Sequence, residues 1–202
     1  MGKQVMIAIS REYGSGGHHI AELLAQRFEL PLYDHKLLDH IAEEKGMDLS
    51  RLKKYDEGLR KPFMHRQVRG MSNSPEEIVA EMQFEFIRDK ADAGESFVVV
   101  GRNAETVLKG REGLVSFFVL GNREEKLARI MEVRQMSEDV AKIALLRHDR
   151  ERKAYHNHYS KMKWGDSRNY AMCINSSVLG LEATADVMEQ FVREKMKEHQ
   201  AQ

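Results

Sequence analysis

The sequence predicts an α/β fold with three layers, in which a five-stranded parallel sheet lies between helices on both faces. Three observations support this prediction: short apolar segments recur along the chain, longer helical patterns separate them, and the apolar segments lack the strict alternation of a half-exposed strand. Strands that are apolar on both sides are typical of a parallel sheet covered by two helical layers. The length of 202 residues predicts one domain, residues 1–202, with a substantial core.

The predicted elements alternate along the chain. Strands are expected at 5–9, 30–33, 97–100, 114–120 and 171–174. Helices are expected at 17–28, 35–45, 75–93, 123–134, 137–155 and 181–199. Ser74 and Pro75 indicate the start of the third helix, because serine caps helix N-termini and proline is favoured at the first helical position. Residues 59–73 are basic and lack a sustained period, so they predict a surface loop.

The charge balance and the cysteine content argue against several classes of protein. The chain has 32 Lys and Arg and 32 Asp and Glu residues, so its net charge does not favour binding to nucleic acid or to an anionic membrane. The single cysteine, Cys173, cannot form an internal disulfide and is expected in the core. The chain starts without a secretory signal and has no apolar run near 18 residues, so we expect a cytoplasmic protein.

A glycine-rich loop follows the first predicted strand and leads into the first predicted helix. Gly14, Ser15, Gly16 and Gly17 supply the backbone of this loop. Such an arrangement directs several backbone N–H groups and the positive end of the helix dipole at one point, which favours a phosphate. The alternative is a tight strand-to-helix turn that binds no ligand.

Two known patterns match the loop in part. The dinucleotide pattern G-x-G-x-x-G fits Gly14 and Gly16, and Asp34 lies about 20 residues further on, where an acid would contact a ribose. However, His19 occupies the third glycine position, and its bulk disfavours this assignment.

The second pattern, G-x-x-x-x-G-K-[ST], fails in its last two places. Gly17 and His18 follow Gly16, so the lysine and the hydroxyl are both missing. A phosphate loop at this position therefore needs another source of positive charge.

Five motifs resemble those of the cytidylate kinase-like family, a nucleoside monophosphate kinase branch of the P-loop NTPase fold. They are ISREYGSGGHHIAELLA, LPLYDHKLLDHIAEEKG, VVVGRNAETVL, DRERKAYHNHY and WGDSRNYAMCINSS, and they extend over nearly the whole chain. The resemblance implies a P-loop kinase fold with a helical lid. It also implies ATP-dependent transfer of a phosphoryl group to a nucleoside monophosphate, with cytidylate (CMP or dCMP) as the nominal acceptor. In this branch the loop reads S-R-x-Y-G-S-G-G, without a lysine.

Arginines are the candidates for the chemistry, since phosphoryl transfer requires positioning and positive charge. Arg11 and Arg102 follow strand ends at the carboxyl edge of the predicted sheet, where ligands bind in parallel α/β folds. We expect Arg11 to replace the missing lysine, because a guanidinium can bridge two phosphate oxygens. The alternative for Arg11 is a surface salt bridge to Glu12 or Glu22. The resemblance implies that Arg102 grips the acceptor phosphate.

Two further regions are assigned from the pattern and the resemblance. Residues 147–166 are a predicted lid, in which Asp149 and Arg152 share one helical face with two tyrosines. Lid arginines that close over ATP exclude water and stabilise charge in the transition state. An ion pair between Asp149 and Arg152 is the alternative. Residues 34–93 form the predicted acceptor-side region, where Asp34 is a candidate helix cap and, by resemblance, a group at the entrance of the acceptor site.

The site assignments can be stated together. The predicted catalytic residues are Arg11, Arg102 and Arg152. The predicted nucleotide-binding residues are Ser10, Gly14, Ser15, Gly16, Gly17, His18, His19, Arg147 and Arg150. The predicted substrate-binding residues are Asp34, Arg102 and Asp149. No metal ligand is assigned to the histidines, because His18 with His19, and His156 with His158, are spaced to point apart on a helix.

The expected cofactors are ATP and Mg²⁺. Mg²⁺ is expected to bind through the nucleotide phosphates and water, with an oxygen from Ser10 or Ser15. Val100 and Asn103 stand where true cytidylate kinases have acids beside the Gly-Arg pair, which leaves two alternatives open. They are a nucleotide sensor with little or no catalysis and a kinase with a non-nucleotide acceptor. The expected partners are small-molecule nucleotides, and the oligomeric state, a homodimer included, is left open.

Overall fold

The computed structural model describes residues 4–46, 48, 67–68, 71–72 and 74–200. The strands are β1 (Met6–Arg11), β2 (Leu32–Tyr33), β3 (Gln67–Val68), β4 (Met71–Ser72), β5 (Phe97–Val100), β6 (Leu114–Leu120) and β7 (Met172–Asn175). The helices are α1 (Gly17–Arg27), α2 (Leu37–Lys45), α3 (Pro75–Asp92), α4 (Ala104–Val107), α5 (Arg123–Arg134), α6 (Glu138–Tyr159), α7 (Ser176–Leu179) and α8 (Leu181–Gln200). A 3-10 helix, Ser167–Asn169, precedes β7.

Five strands form one parallel sheet. The strand order is β2-β5-β1-β6-β7, so β1 lies at the centre. Met6 lies opposite Phe97 of β5 and Leu114 of β6, and this register brings the carboxyl ends of neighbouring strands to one edge. The predicted five-stranded parallel sheet is confirmed.

The two faces of this sheet carry separate apolar cores. Met6 of β1 packs in the core that includes Ile87 of α3, whereas its neighbour Ile7 packs in the core that includes Met188 of α8. All four side chains are fully buried, and burying a side chain of this size stabilises a protein by about 1.5–3 kcal/mol. Since helices cover both faces, the predicted three-layer arrangement is also confirmed.

The predicted surface loop at 59–73 lies mostly outside the described residues. Within it, β3 and β4 form a short antiparallel pair in which Val68 lies opposite Met71. Part of the predicted acceptor-side region at 34–93 therefore also lies outside the described residues.

The observed helices differ from the predicted ones in three respects. Helix α2 begins at Leu37, two residues after its predicted start, and Lys36 stands at its N-cap instead of the candidate Asp34. Helix α6 continues to Tyr159, four residues beyond its predicted end, and the predicted lid at 147–166 consists of the second half of α6 and the turn that follows. The sequence patterns missed α4 and α7, because a helix of four residues is too short to show a period. Among the described residues, no helix combines the length and apolarity needed to cross a bilayer.

Candidate active site

The carboxyl edge of the sheet brings together side chains that lie far apart in the sequence. Arg11 is the last residue of β1, the central strand, and Arg102 comes two residues after β5, its neighbour in the sheet. Asp34 directly follows β2, the next strand outward. The strand-end rule therefore places these three residues at one edge, as the sequence predicts.

A cavity of about 60 Å³ opens at this edge. It is lined by Ser10, Arg11, Gly101, Arg102, Asn103, Glu151, Arg152, Tyr155, His156 and Trp164. All three predicted catalytic arginines are in this lining, although they come from β1, the turn after β5 and α6. A water molecule needs about 10–15 Å³ of such space, so the cavity accommodates a group the size of a phosphate.

Arg11 occupies space that a side chain at position 17 would need. A Cβ atom placed on Gly17 would lie 2.7 Å from Arg11 Cβ and 3.1 Å from Arg11 Cγ, closer than van der Waals contact allows. The guanidinium of Arg11 lies against Gly101, where a Cβ atom would collide with it. Arg11 thus extends from the glycine-rich loop to the turn after β5, and this course requires the absence of a side chain at both glycines.

Arg102 belongs to a turn with an uncommon backbone. Gly101, Arg102 and Asn103 have φ angles of 74°, 53° and 53°, so two non-glycine residues in succession adopt the left-handed region. Each such residue costs on the order of 1–3 kcal/mol and persists only where the surroundings enforce it. Here the Gly101 N–H donates to the Ile9 carbonyl at 2.9 Å, and Arg102 is 3% exposed. The turn therefore fixes the Arg102 guanidinium in the cavity wall.

Asn103 completes this turn and leaves a polar atom at the cavity. Its side chain is buried, and within the described part of the chain its Oδ1 atom accepts no hydrogen bond. A buried oxygen of this kind usually has a partner. A hydrogen-bond donor on a bound ligand is one group that would supply it.

Arg152 links α6 to the loop. Its Nη1 atom donates to the Arg11 carbonyl at 3.3 Å, and its guanidinium lies 5.5 Å from the centre of the Tyr13 ring. This position is compatible with the predicted role of Arg152 in completing the site. It also couples any movement of α6 to the backbone of the loop.

A buried carboxylate that the sequence reasoning missed lies beside the arginines. Glu105 accepts a hydrogen bond from Ser10 Oγ at 3.1 Å and lies 2.8 Å from His156 Nε2. The side chains of Glu105 and His156 are 3% and 5% exposed. The carboxylate of Glu105 offsets part of the positive charge that three guanidinium groups bring to one cavity. The sequence does show an acid three residues after Arg102. Its partner His156, however, is 51 residues further on, so the pairing could not be recognised from local sequence.

The glycine-rich loop ends at the N-terminus of α1. Gly16, at the N-cap, has no side chain that could accept hydrogen bonds from the backbone N–H groups of the first turn. That turn, which the structure describes in full, contains no acidic residue. Helix ends of this kind are commonly satisfied by water or by an anion. Two side chains from other helices bind the carbonyl groups of the loop. Arg129 Nη1 donates to the Gly14 carbonyl at 2.6 Å, and Ser176 Oγ donates to the Ser15 carbonyl at 2.6 Å.

A second charge cluster, in which Lys126 is buried and its two acidic partners are half-buried, supports the loop. Lys126 Nζ lies 2.7 Å from Glu12 Oε2 and 3.8 Å from Asp149 Oδ2. Asp149 accepts the Tyr13 backbone N–H at 2.6 Å. Burial raises the pKa of Asp149, although the Tyr13 amide and Lys126 act in the opposite direction. Asp149 thus contacts the residue before the glycine-rich loop. Its predicted contact with a substrate stays a prediction.

The remaining predicted residues lie outside the cavity. Arg147 and Arg150 are exposed on α6, and Arg147 lies beside His148 and Glu151. His19 faces Glu22 at 3.4 Å and Glu182 at 3.9 Å. The predicted contacts of these three residues with a nucleotide stay predictions.

The two serines that are candidates for Mg²⁺ binding each donate a hydrogen bond within the protein. Ser10 Oγ donates to Glu105, and Ser15 Oγ donates to the Glu12 carbonyl at 2.8 Å, with Ser15 fully buried. The residue after Gly17 carries an imidazole instead of a hydroxyl. A hydroxyl that donates its proton keeps its oxygen lone pairs, so the predicted contact of Mg²⁺ with Ser10 or Ser15 stays a prediction.

Comparison with known proteins decides the family. The profile of the cytidylate kinase-like family matches residues 6–178. The chain belongs to this family. No curated protein matches the chain.

Solved structures place this member of the cytidylate kinase-like family among P-loop kinase folds. An uncharacterized protein from Eubacterium ventriosum is 34% identical, with 94% of this chain and 99% of that chain covered and a TM-score of 0.76. A shikimate kinase from Bacteroides thetaiotaomicron is 12% identical, with 94% and 98% covered and a TM-score of 0.56. A gluconokinase from Sinorhizobium meliloti is 12% identical, with 98% and 94% covered and a TM-score of 0.51. The family and the fold support phosphoryl transfer as the general activity.

Proposed function

We propose that this protein transfers the γ-phosphoryl group of ATP to a nucleoside monophosphate, with cytidylate as the first candidate acceptor. The observation that carries the proposal is the convergence of Arg11, Arg102 and Arg152 on one cavity, together with the close packing of Arg11 against Gly17, the first residue of α1. The family supports phosphoryl transfer, and its description supports the choice of cytidylate. The proposal thus combines a general activity with a specific acceptor.

Each arginine has a role that follows from its position. Arg11 lies against the loop and takes the donor side, where a guanidinium would bind two phosphate oxygens at once. Arg102 is fixed by its turn after β5 and takes the acceptor phosphate. Arg152 reaches the Arg11 carbonyl from α6 and adds positive charge when the nucleotides are bound. Fixed cations around a moving phosphoryl group stabilise the charge of the transition state.

The test is a coupled assay of ADP formation with ATP and Mg²⁺ over a panel of acceptors. The panel contains CMP, dCMP, UMP, AMP and GMP, together with shikimate and gluconate as non-nucleotide acceptors. We expect turnover with CMP or dCMP, and a loss of about 10²–10³-fold in kcat for Arg102→Lys. Arg193→Lys is the matched control, because Arg193 is an exposed residue of α8 that pairs with Glu189. Turnover restricted to shikimate or gluconate would refute the choice of acceptor, and equal rates for both variants would refute the role of Arg102.

A second function is favoured by a specific observation, namely that protein groups already occupy part of the loop. Asp149 accepts the Tyr13 amide, and Ser15 Oγ donates to the Glu12 carbonyl. A loop engaged in this way would suit a nucleotide sensor that binds ATP and turns it over slowly or not at all. Calorimetric binding of ATP, together with no ADP formation for any acceptor in the panel, would support the sensor.

A further inference from the structure

Two histidines contact one buried carboxylate at the edge of the candidate site. His18 Nε2 lies 2.7 Å from Asp34 Oδ2, and His35 Nδ1 lies 3.0 Å from the same oxygen. The three potential ligand atoms all lie within 4.8 Å of one another. Sequence reasoning missed this cluster, because it compared His18 with its neighbour His19 instead of with residues that follow another strand.

The fold places this cluster next to the phosphate loop. His18 is the second residue of α1 and directly follows Gly17. In the pattern G-x-x-x-x-G-K-[ST], this position carries the hydroxyl that binds Mg²⁺. Asp34 and His35 come directly after β2, at the same edge of the sheet. An imidazole thus stands where the pattern has an oxygen ligand, with a second imidazole and a carboxylate beside it.

The Asp34 carboxylate has the properties of a ligand. Its Oδ1 atom accepts the Lys36 backbone N–H at 2.8 Å, which leaves Oδ2 directed at both imidazoles. Asp34 Oδ2 is therefore the oxygen placed to bind an ion together with His18 Nε2 and His35 Nδ1.

Both imidazoles of the cluster are accessible to an ion. Glu22 Oε1 lies 3.6 Å from the second ring nitrogen of His18, Nδ1, which is beyond hydrogen-bond distance, so Glu22 is a neighbour of the cluster and not a partner that orients the ring. The side chains of His18 and His35 are 39% and 66% exposed, so an ion can enter from solvent.

We propose that His18 Nε2, Asp34 Oδ2 and His35 Nδ1 bind a divalent transition-metal ion of the Zn²⁺ class beside the phosphate loop. Ligands at about 2.0–2.2 Å from a tetrahedral Zn²⁺ lie about 3.3–3.6 Å apart, so the two separations between an imidazole nitrogen and Asp34 Oδ2 need to widen by less than 1 Å. Two imidazoles and one carboxylate suit such ions, whereas Mg²⁺ selects oxygen ligands. Three protein ligands leave one position for water or for an oxygen of a bound phosphate.

The role of this ion in binding a phosphate depends on the proposed function, but the site itself does not. The competing explanation is a hydrogen-bonded network in which Asp34 only orients the two imidazoles. This network predicts no binding of any metal ion at the cluster, so binding measurements separate the two explanations.

The test begins with the full chain after dialysis against a chelator. Zn²⁺ binding is measured by calorimetry and Co²⁺ binding by visible absorption, both without nucleotide. We expect one ion per chain, a Co²⁺ spectrum of a four- or five-coordinate site with nitrogen ligands, and no competition from millimolar Mg²⁺. We expect His18→Ala and His35→Ala each to weaken Zn²⁺ binding by more than about 100-fold, since loss of a ligand costs more than loss of an outer-shell partner. His158→Ala is the control, since His158 is exposed on α6 and faces Glu77.

Two results would overturn the metal site. The first is that the wild-type protein fails to bind one Zn²⁺ ion per chain. The second is that the His18→Ala or His35→Ala variant binds Zn²⁺ as tightly as the His158→Ala control. Circular dichroism establishes that each variant is folded. Because these measurements contain no nucleotide, their failure leaves the proposed phosphoryl transfer standing. Conversely, absent ADP formation together with intact Zn²⁺ binding would refute the proposed function and leave the site.

Discussion

Replacing Gly17 with alanine should destabilise this protein, although helix propensity favours alanine. Gly17 is the first residue of α1, and glycine in a helix is less favourable than alanine by roughly 0.5–1 kcal/mol. The added methyl group, however, would lie 2.7 Å from Arg11 Cβ and 3.3 Å from Val119 Cβ. Both neighbours are Cβ atoms, which can move only together with their strands.

The size of the steric effect decides the sign. Overpacking a well-packed site by one methyl group typically costs about 1–3 kcal/mol, which exceeds the gain in helix propensity. We therefore expect a net loss of about 1–2 kcal/mol in the free energy of unfolding. For a chain of this length the loss corresponds to a decrease of about 2–8 °C in Tm. Urea unfolding followed by circular dichroism measures the first quantity, and differential scanning calorimetry the second.

A double-mutant cycle identifies Arg11 as the cause. Arg11→Gly removes both close atoms of Arg11, so Gly17→Ala should cost almost nothing in that background, a coupling of about 1–2 kcal/mol. Arg11→Ala is the matched control, because it keeps the Cβ atom and with it the closest contact. If Gly17→Ala stabilises the wild-type protein, or costs the same in both Arg11 backgrounds, the packing argument is refuted.

Three further predictions concern other parts of the chain. Glu105→Ala should lower the free energy of unfolding by about 1–3 kcal/mol in urea denaturation, because it removes the acceptor of the Ser10 hydroxyl and the carboxylate that lies 2.8 Å from the buried His156 Nε2. The Arg168 guanidinium and backbone N–H lower the pKa of Asp166 to about 2, so its stabilising effect is present above the ordinary value of 3.8 and is lost as the pH falls towards 2. Asp166→Asn should therefore flatten the pH dependence of stability in that range, and an unchanged slope would contradict the assignment. Burial raises the pKa of the Cys173 thiol, so iodoacetamide should modify it more slowly at pH 8 in the native protein than in urea; equal rates would contradict this.

The strand-end rule explains why part of the site could be predicted from the sequence. Arg11 and Arg102 each follow an apolar run, and in a parallel sheet such positions meet at one edge whatever the exact strand order. Arg152 was predicted from the cations and aromatic residues near it, together with the family resemblance. Local sequence therefore contained enough information to select three side chains that the structure brings to one cavity.

The missed contacts depend on pairings that local sequence does not encode. Glu105 contacts His156, and His18 contacts Asp34, across different elements whose relative placement follows from the strand order β2-β5-β1-β6-β7. The sequence around His18 and His19 does not indicate that the carboxylate of Asp34, which follows another strand, lies beside His18. The end of α6 was placed too early for a similar reason, because Tyr155 and Tyr159 are held by aromatic contacts with each other and with Phe84 of α3.

The arginine and the glycine of this loop are best understood as one exchange. In the pattern G-x-x-x-x-G-K, the first glycine falls on position 11 and the lysine on position 17, so this chain has a long cation at the first place and no side chain at the second. The two positions compete for the same space, because a Cβ atom at 17 collides with Arg11. Reversing the exchange with Arg11→Gly/Gly17→Lys should therefore give more ADP formation than Arg11→Gly alone. If the double variant is no faster, the two cations do not substitute for each other, and Gly17 is explained by packing alone.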